Sequence, residues 1–147
     1  MIFVSFYLIN IIVGSSVVFD MYSGKVPNRL MLTAYLLAPL FMYLDYGGMG
    51  ILSHLLPALG AGVILFFCYM VNAIGAGDVK LMTFICLFLD SGNIFRFLIL
   101  VFGIGAVLGV IKVACNIIEN RTELSSMRIK FTVPITIGYM IIVLWGG

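Results

Sequence analysis

Long apolar runs are the feature of this sequence that most limits what it can fold into. Six runs, separated by short polar breaks, lie at about residues 1–19, 29–44, 51–71, 79–90, 94–118 and 131–146. Because a bilayer span needs about 20 mostly apolar residues, the runs predict about six transmembrane helices, of which the fourth is short. We therefore expect an all-α, polytopic integral membrane protein with a single membrane-embedded domain over residues 1–147.

The composition excludes several other classes of protein. Hydrophobic residues make up 63% of the chain and charged residues 10%, whereas soluble domains carry roughly 25% charged residues. The net charge of +2 is too small and too dispersed to indicate a nucleic-acid partner. Cys68, Cys86 and Cys115 form no CxxC pair and His54 is the only histidine, so the sequence predicts neither a metal site nor a Ser-His triad.

The basic residues are distributed unevenly over the polar breaks. The odd-numbered breaks and their flanks hold seven of the eight, namely Lys25, Arg29, Lys80, Lys112, Arg121, Arg128 and Lys130. The remaining one, Arg96, lies beside an even-numbered break. Since cytoplasmic loops of membrane proteins are enriched in lysine and arginine, we expect the odd-numbered breaks to face the cytoplasm and both termini to lie outside.

Most acidic residues fit ordinary surface positions. Asp45 and Asp90 fit polar turns at the outer face, and Glu119 and Glu123 fit a solvated loop. Near its outer end, the third predicted helix carries His54, which we expect at the membrane interface.

Asp20 and Asp78 do not fit so simply. Asp20 ends the first predicted helix at the cytoplasmic boundary, where the helix dipole disfavours an anion, although a plain exit turn before Pro27 is an alternative. Asp78 follows Gly75-Ala76-Gly77 and opens the fourth predicted helix at the same membrane face. An N-cap would explain Asp78 alone, but two glycines beside a cap also leave room for an extended peptide to approach.

Together the two aspartates predict acid/base chemistry. If their helices are neighbours, both carboxyls cannot ionise cheaply, so the pair would share a proton and could activate a water molecule against a peptide bond. A small ion- or proton-coupled transporter could use the same aspartates, and a structural assembly subunit would need neither. A Ser23–Lys25 dyad also stays open, although residues two apart do not face each other on a helix.

Two motifs resemble those of the type IV prepilin peptidase family, which are membrane aspartyl proteases of the GxGD type, with the archaeal preflagellin peptidases as relatives. The first motif is Asp20-Met-Tyr-Ser-Gly-Lys-Val26-Pro27-Asn28. The second is Gly75-Ala76-Gly77-Asp78-Val79-Lys80, which is similar to the family's GxGD stretch and its following lysine. The stretch 130–139, with Pro134, weakly resembles the entry to the family's last helix.

The resemblance implies that Asp20 and Asp78 are the catalytic pair of a membrane aspartyl endopeptidase. The residues that it implies for shaping the site or positioning the substrate are Pro27, Asn28, Gly75, Gly77 and Lys80, although Lys80 on its own would be expected to meet water or lipid headgroups. The implied substrate is a prepilin-like precursor with a hydrophobic N-terminal helix, whose leader is cut at the cytoplasmic face of a prokaryotic inner membrane.

The resemblance is to the short, peptidase-only branch of Flp/Tad type. Many family members also N-methylate the new amino terminus and carry an added region with paired CxxC motifs, and this sequence has neither the length nor the cysteines for that region. We therefore expect no use of S-adenosylmethionine and no other cofactor.

Overall fold

The computed structural model describes residues 3–23, 27–118 and 131–145, and every regular element within these ranges is an α-helix. The helices are α1 (Phe3–Ser23), α2 (Asn28–Met70), α3 (Ala76–Cys86), α4 (Ser91–Ile118) and α5 (Thr132–Trp145). The expected all-α fold is confirmed. The predicted loop at residues 119–130 lies outside the described residues.

The second and third predicted helices form one element, α2, which is broken at Gly47. A straight helix of 43 residues would be about 65 Å long, roughly twice the thickness of the hydrocarbon core. Gly47 interrupts the helix with φ 68° and ψ 176°, a combination that is essentially restricted to glycine. The polar break predicted at residues 45–50 is therefore present as a sharp change of direction inside α2.

Contacts with α3 show that the two halves of α2 run in opposite directions. In the first half, the Tyr35 hydroxyl bonds to a carbonyl near the start of α3, and the Tyr46 hydroxyl bonds to one just beyond its end. In the second half, the ring of His54 lies against a carbonyl beyond the end of α3, while Gly62 approaches its middle. α3 therefore packs between the two limbs of a helical hairpin.

The chain between α2 and α3 is shaped by Asn72. Its φ of 58° is left-handed, and its N–H donates to the carbonyl of Tyr69 at 2.9 Å. The N–H of Ala73 donates to the carbonyl of Cys68 at 3.0 Å. This pair of bonds is the Schellman arrangement, which satisfies the last carbonyls of a helix and turns the chain away. α2 therefore ends at Met70, five residues before Gly75, the N-cap of α3.

Long-range contacts sort the helix ends into two groups. At what we call the Asp78 end, Lys80 Nζ donates to Asn28 Oδ1 at 2.9 Å, so the starts of α2 and α3 lie together. At the Asp45 end, the carboxylate of Asp45 accepts a hydrogen bond from the N–H of Ser5 at 2.9 Å, so the start of α1 lies beside the reversal in α2. Among the described residues, the breaks at 45–50, 72–78 and 90–93 thus alternate between the two ends. The membrane topology and the cytoplasmic orientation of the Asp78 end stay predictions.

Two polar residues at the Asp45 end are buried. Asp45 is only 9% exposed, and it accepts a backbone N–H of the first turn of α1, where helices leave such donors without partners and favour an anion. His54 is equally buried, with its ring stacked on Tyr46 at a centroid distance of 4.0 Å. The expectation of ordinary turn chemistry at Asp45 was wrong because its partner, the N–H of Ser5, lies 40 positions away in the chain. The burial of His54 also involves a distant partner, the carbonyl of Leu89, and its position at the membrane interface stays a prediction.

The bundle is apolar outside as well as inside. Buried side chains of α3 form much of the core, whereas large apolar side chains on one face of α2 are exposed, among them Leu32, Leu36, Leu40 and Leu44. Such a surface fits contact with lipid. Within the described ranges, three helices are long and apolar enough to span a membrane, at Ser5–Ser23, Asn28–Met70 and Ser91–Cys115. The chain is a membrane protein by these features, and the count of six spans stays a prediction.

Candidate active site

Asp20 lies in the last turn of α1, which packs against α2 and α5. It is only 7% exposed. Carboxylates are rarely buried, because burial removes their hydration, so the buried Asp20 is a candidate functional residue.

Asp78 is the third residue of α3. The N-cap is Gly75, with φ −73° and ψ 148°, and the Gly75 N–H donates a hydrogen bond to the Asp78 carboxylate. A side chain in the third position that reaches back to the N-cap satisfies one of the donors left free in the first turn. The sequence alternative in which Asp78 is the N-cap is therefore wrong by three positions, although the carboxylate does bond to the start of its own helix.

The carboxylate of Asp78 occupies the space that a side chain would need at Gly75. A Cβ added at Gly75 would lie 2.9 Å from Asp78 Oδ2. Because the backbone of Gly75 has a negative φ, which any residue adopts, glycine contributes room for the carboxylate here and not conformational freedom. Gly77 is the second residue of α3 and is half-buried.

Thr132, the first residue of α5, was missed by the sequence analysis. Its hydroxyl donates to Asp78 Oδ1 at 3.2 Å, and the residue is only 1% exposed. The two partners are 54 positions apart, so no spacing rule for helices or turns indicates the contact. The nearest signal in the sequence is Pro134, which indicates that a helix begins close by, because proline is tolerated in the first turn of a helix.

Asp20 and Asp78 form one electrostatic unit. Asp78 precedes the apolar stretch of α3, and burial raises the pKa of its carboxyl to about 6. The hydrogen bond from Thr132 lowers this pKa, the negative charge of Asp20 raises it, and the Gly75 N–H lowers it. The structure thus brings the two aspartates, from α1 and α3, to the same end of the bundle.

The remaining predicted site residues connect the starts of α2 and α3. Pro27 is the N-cap of α2, and its carbonyl accepts the N–H of Leu30 at 3.1 Å. Asn28 accepts the hydrogen bond from Lys80, whose own carbonyl accepts the Tyr35 hydroxyl at 2.9 Å. Lys80 is exposed, as expected, but it also joins the second sequence motif to the first. Asn28 and Lys80 therefore connect the start of α2 to the start of α3, which carries Asp78, and Pro27 begins α2.

This arrangement is suited to proton transfer. A pair of carboxyls in which one pKa is raised can accept a proton from water at one member and donate a proton from the other. In the part of the chain that the structure describes, no group of three or more His, Cys, Asp and Glu residues could hold a metal ion. The hydroxyl of Ser23, from the alternative Ser-Lys dyad, donates to the carbonyl of Phe19 at 2.7 Å, and Lys25 lies outside the described residues.

Comparison with known proteins identifies the family. The model of the type IV leader peptidase family matches residues 4–110, a range that contains both aspartates and all of the other predicted site residues. Searches of curated proteins and of solved structures return no match. Since the matched range is well over half of the 147 residues, the chain belongs to the type IV leader peptidase family.

Proposed function

We propose that the chain is an aspartyl endopeptidase that removes the N-terminal leader of type IV pilin-like precursors at the cytoplasmic face of the membrane, with Asp20 and Asp78 as its catalytic pair. Family membership makes the chain a leader peptidase-like protease. The observation that carries the finer proposal is the placement of two aspartates at one end of the bundle, where burial and the charge of Asp20 raise the pKa of Asp78.

The proposed reaction is direct hydrolysis. The ionised carboxyl accepts a proton from a water molecule as the water oxygen attacks the carbonyl carbon of the scissile peptide, and the protonated carboxyl donates its proton to the carbonyl oxygen. In the collapse of the tetrahedral intermediate, the first carboxyl passes its new proton to the amine nitrogen as the C–N bond breaks, and the second carboxyl takes a proton back from a hydroxyl of the intermediate as the carbonyl reforms. Each positioned proton transfer contributes about 10² to 10⁴ in rate, and no covalent intermediate with the protein is needed.

The position of the pair supports a peptidase over a transporter. Both aspartates lie near helix ends, in the last turn of α1 and the first turn of α3, whereas the sites of transporters typically lie near the bilayer midplane. A precursor whose hydrophobic helix lies in the bilayer would present its leader at such an end. We place the enzyme in the peptidase-only branch, without N-methylation and without S-adenosylmethionine.

The test is processing of a candidate prepilin precursor that is co-expressed with the chain. Asp20→Asn and Asp78→Asn keep the shape of each side chain but cannot exchange a proton, so we expect unprocessed precursor in both. Asp90→Asn is the matched control, because Asp90 lies at the Asp45 end with its side chain 73% exposed. Processing that persists in either of the first two variants, with the protein present in membranes, would contradict a two-aspartate mechanism.

A further inference from the structure

The Asp78 carboxylate accepts hydrogen bonds from two donors. The Gly75 N–H bonds to the carboxylate, whose Oδ2 lies beside Gly75, and the Thr132 hydroxyl bonds to Oδ1. The first donor belongs to the same helical turn as Asp78, whereas the second comes from α5. The orientation of the carboxyl therefore depends on a helix other than the two that carry the aspartates.

α5 is itself held against those two helices. Besides the contact of Thr132 with α3, the Tyr139 hydroxyl accepts a long hydrogen bond of 3.4 Å from Asn10 Nδ2 in α1. Thr132 and Tyr139 are both almost fully buried. The match to the family model ends at residue 110, before α5 begins, so the contribution of this helix is an observation from the packing of this chain.

We propose that Thr132 is a positioning residue of the active site: its hydroxyl holds Oδ1 of Asp78 and, together with the Gly75 N–H, fixes the orientation of the carboxyl. This inference rests on the proposed function. Thr132 touches neither substrate nor water in the reaction; it acts through Asp78.

A positioning hydroxyl on a titrating group has an electrostatic signature. The Thr132 hydroxyl favours the ionised form, so its loss raises the pKa of Asp78 further, in the same direction as burial and Asp20. Besides Asp20 on α1, the titratable groups of this region include Lys80, whose Nζ bonds to Asn28, and Tyr35, whose hydroxyl donates to the carbonyl of Lys80. The active pair must keep one proton, so activity falls at the basic side of the pH profile, where the pair loses that proton. Without the Thr132 hydroxyl the proton is lost at higher pH, and the basic limb of the profile moves up.

The experiment compares the pH profiles of precursor processing for Thr132→Val, Thr132→Ser and wild type. We expect the basic limb of Thr132→Val to move up by about one pH unit, with a lower maximal rate, and Thr132→Ser to restore the wild-type profile. Thr136→Val is the matched control, because Thr136 bonds only to the Thr132 carbonyl one turn earlier, at 2.8 Å, and we expect the wild-type profile from it. A loss of rate that is equal at every pH, or an unchanged profile in Thr132→Val, would overturn the proposal.

A second measurement separates this proposal from the proposed function. Hydrophobic carbodiimides react with protonated carboxyls, so labelling of Asp78, quantified by peptide mass spectrometry in purified protein, reports its protonation without any substrate. We expect the midpoint of labelling to rise by about one pH unit in Thr132→Val and not in Thr136→Val. An unchanged midpoint would refute the role of Thr132 even if the enzyme cleaves precursors, whereas a raised midpoint in a chain that cleaves none would refute only the proposed function. If Thr132→Val does not accumulate, Thr132→Ala provides the same comparison.

Discussion

Replacing Gly75 by alanine tests the placement of the Asp78 carboxylate directly. The added Cβ would lie 2.9 Å from Asp78 Oδ2, whereas ordinary van der Waals contacts are 3.4–4 Å. The carboxylate must therefore retreat by roughly 0.5 Å, and because Thr132 holds its other oxygen, the movement misplaces the whole group. The backbone N–H of residue 75 is retained, so the substitution changes position and little else.

The substitution should affect activity much more than stability. A misplacement of 1 Å in a catalytic site can lower the rate by about 100-fold, so half of that distance should lower kcat for precursor processing by roughly tenfold, with little change in KM. The free energy of unfolding should change by less than about 1 kcal/mol, because alanine restricts the unfolded chain but is a poorer N-cap than glycine, and the two effects oppose each other. The assay is initial processing rate against substrate concentration, together with thermal unfolding of the same preparations.

The control for this experiment is Gly60→Ala. Gly60 lies in α2, where an added Cβ meets nothing within 4 Å, so this variant should process the precursor at the wild-type rate. Wild-type kcat in Gly75→Ala would refute the argument that the carboxylate fills the space beside the glycine. A fall in kcat accompanied by a comparable fall in the free energy of unfolding would show instead that the substitution disturbs the fold.

Two further predictions concern stability. Asp78→Asn should raise the free energy of unfolding by up to roughly 3 kcal/mol above pH 6. On folding, the pKa of the Asp78 carboxyl rises from 3.8 to about 6, so the folded state favours the protonated form. The stability of the wild type is therefore complete below pH 3.8 and falls as the pH rises through 6, whereas asparagine does not ionise. Unfolding in detergent at several pH values checks this, and a gain that does not shrink below pH 6 would argue against the cause. Gly47→Ala should lower the free energy of unfolding by about 1–3 kcal/mol through backbone strain alone, since an added Cβ meets nothing within 4 Å. Gly48→Ala, which is as open but has no positive φ, should change it far less, and equal losses in the two would disprove the strain argument.

The fold was predictable to the extent that local chemistry determines it. Each apolar run of bilayer length is helical, and the breaks rich in Gly, Asn and Asp mark the changes of direction, because hydrophobic length and turn residues are properties of neighbouring positions. Pro39 and Pro57 do not end α2, since proline is tolerated inside apolar membrane helices. The break at residues 45–50 was predicted correctly. The sequence could not predict that the helices on either side form one element with a sharp bend at Gly47, because the bend depends on backbone angles that composition does not specify.

The site was predictable in its aspartates and not in their surroundings. Asp20 and Asp78 attracted notice because carboxylates are rare and costly in so apolar a chain. The donors that hold Asp78 could not be found in the same way: Thr132 is an unremarkable residue until α5 packs against α3, and Gly75 looks like an opening for substrate until the carboxylate is seen to fill it. Asp45 shows the same limit at the other end, where its partner is a backbone N–H that has no sequence signal at all.

The contact between α5 and Asp78 also has a consequence for how the protein is made. α2 and α3 are close in the chain and share extensive contacts, so these helices can associate as soon as both have been synthesised. The hydroxyl of Thr132 arrives only with α5, which leaves the ribosome after every other described helix. A nascent chain that has already inserted both aspartates therefore still lacks one of the two donors of Asp78, and we expect proteolytic competence to require the docking of α5.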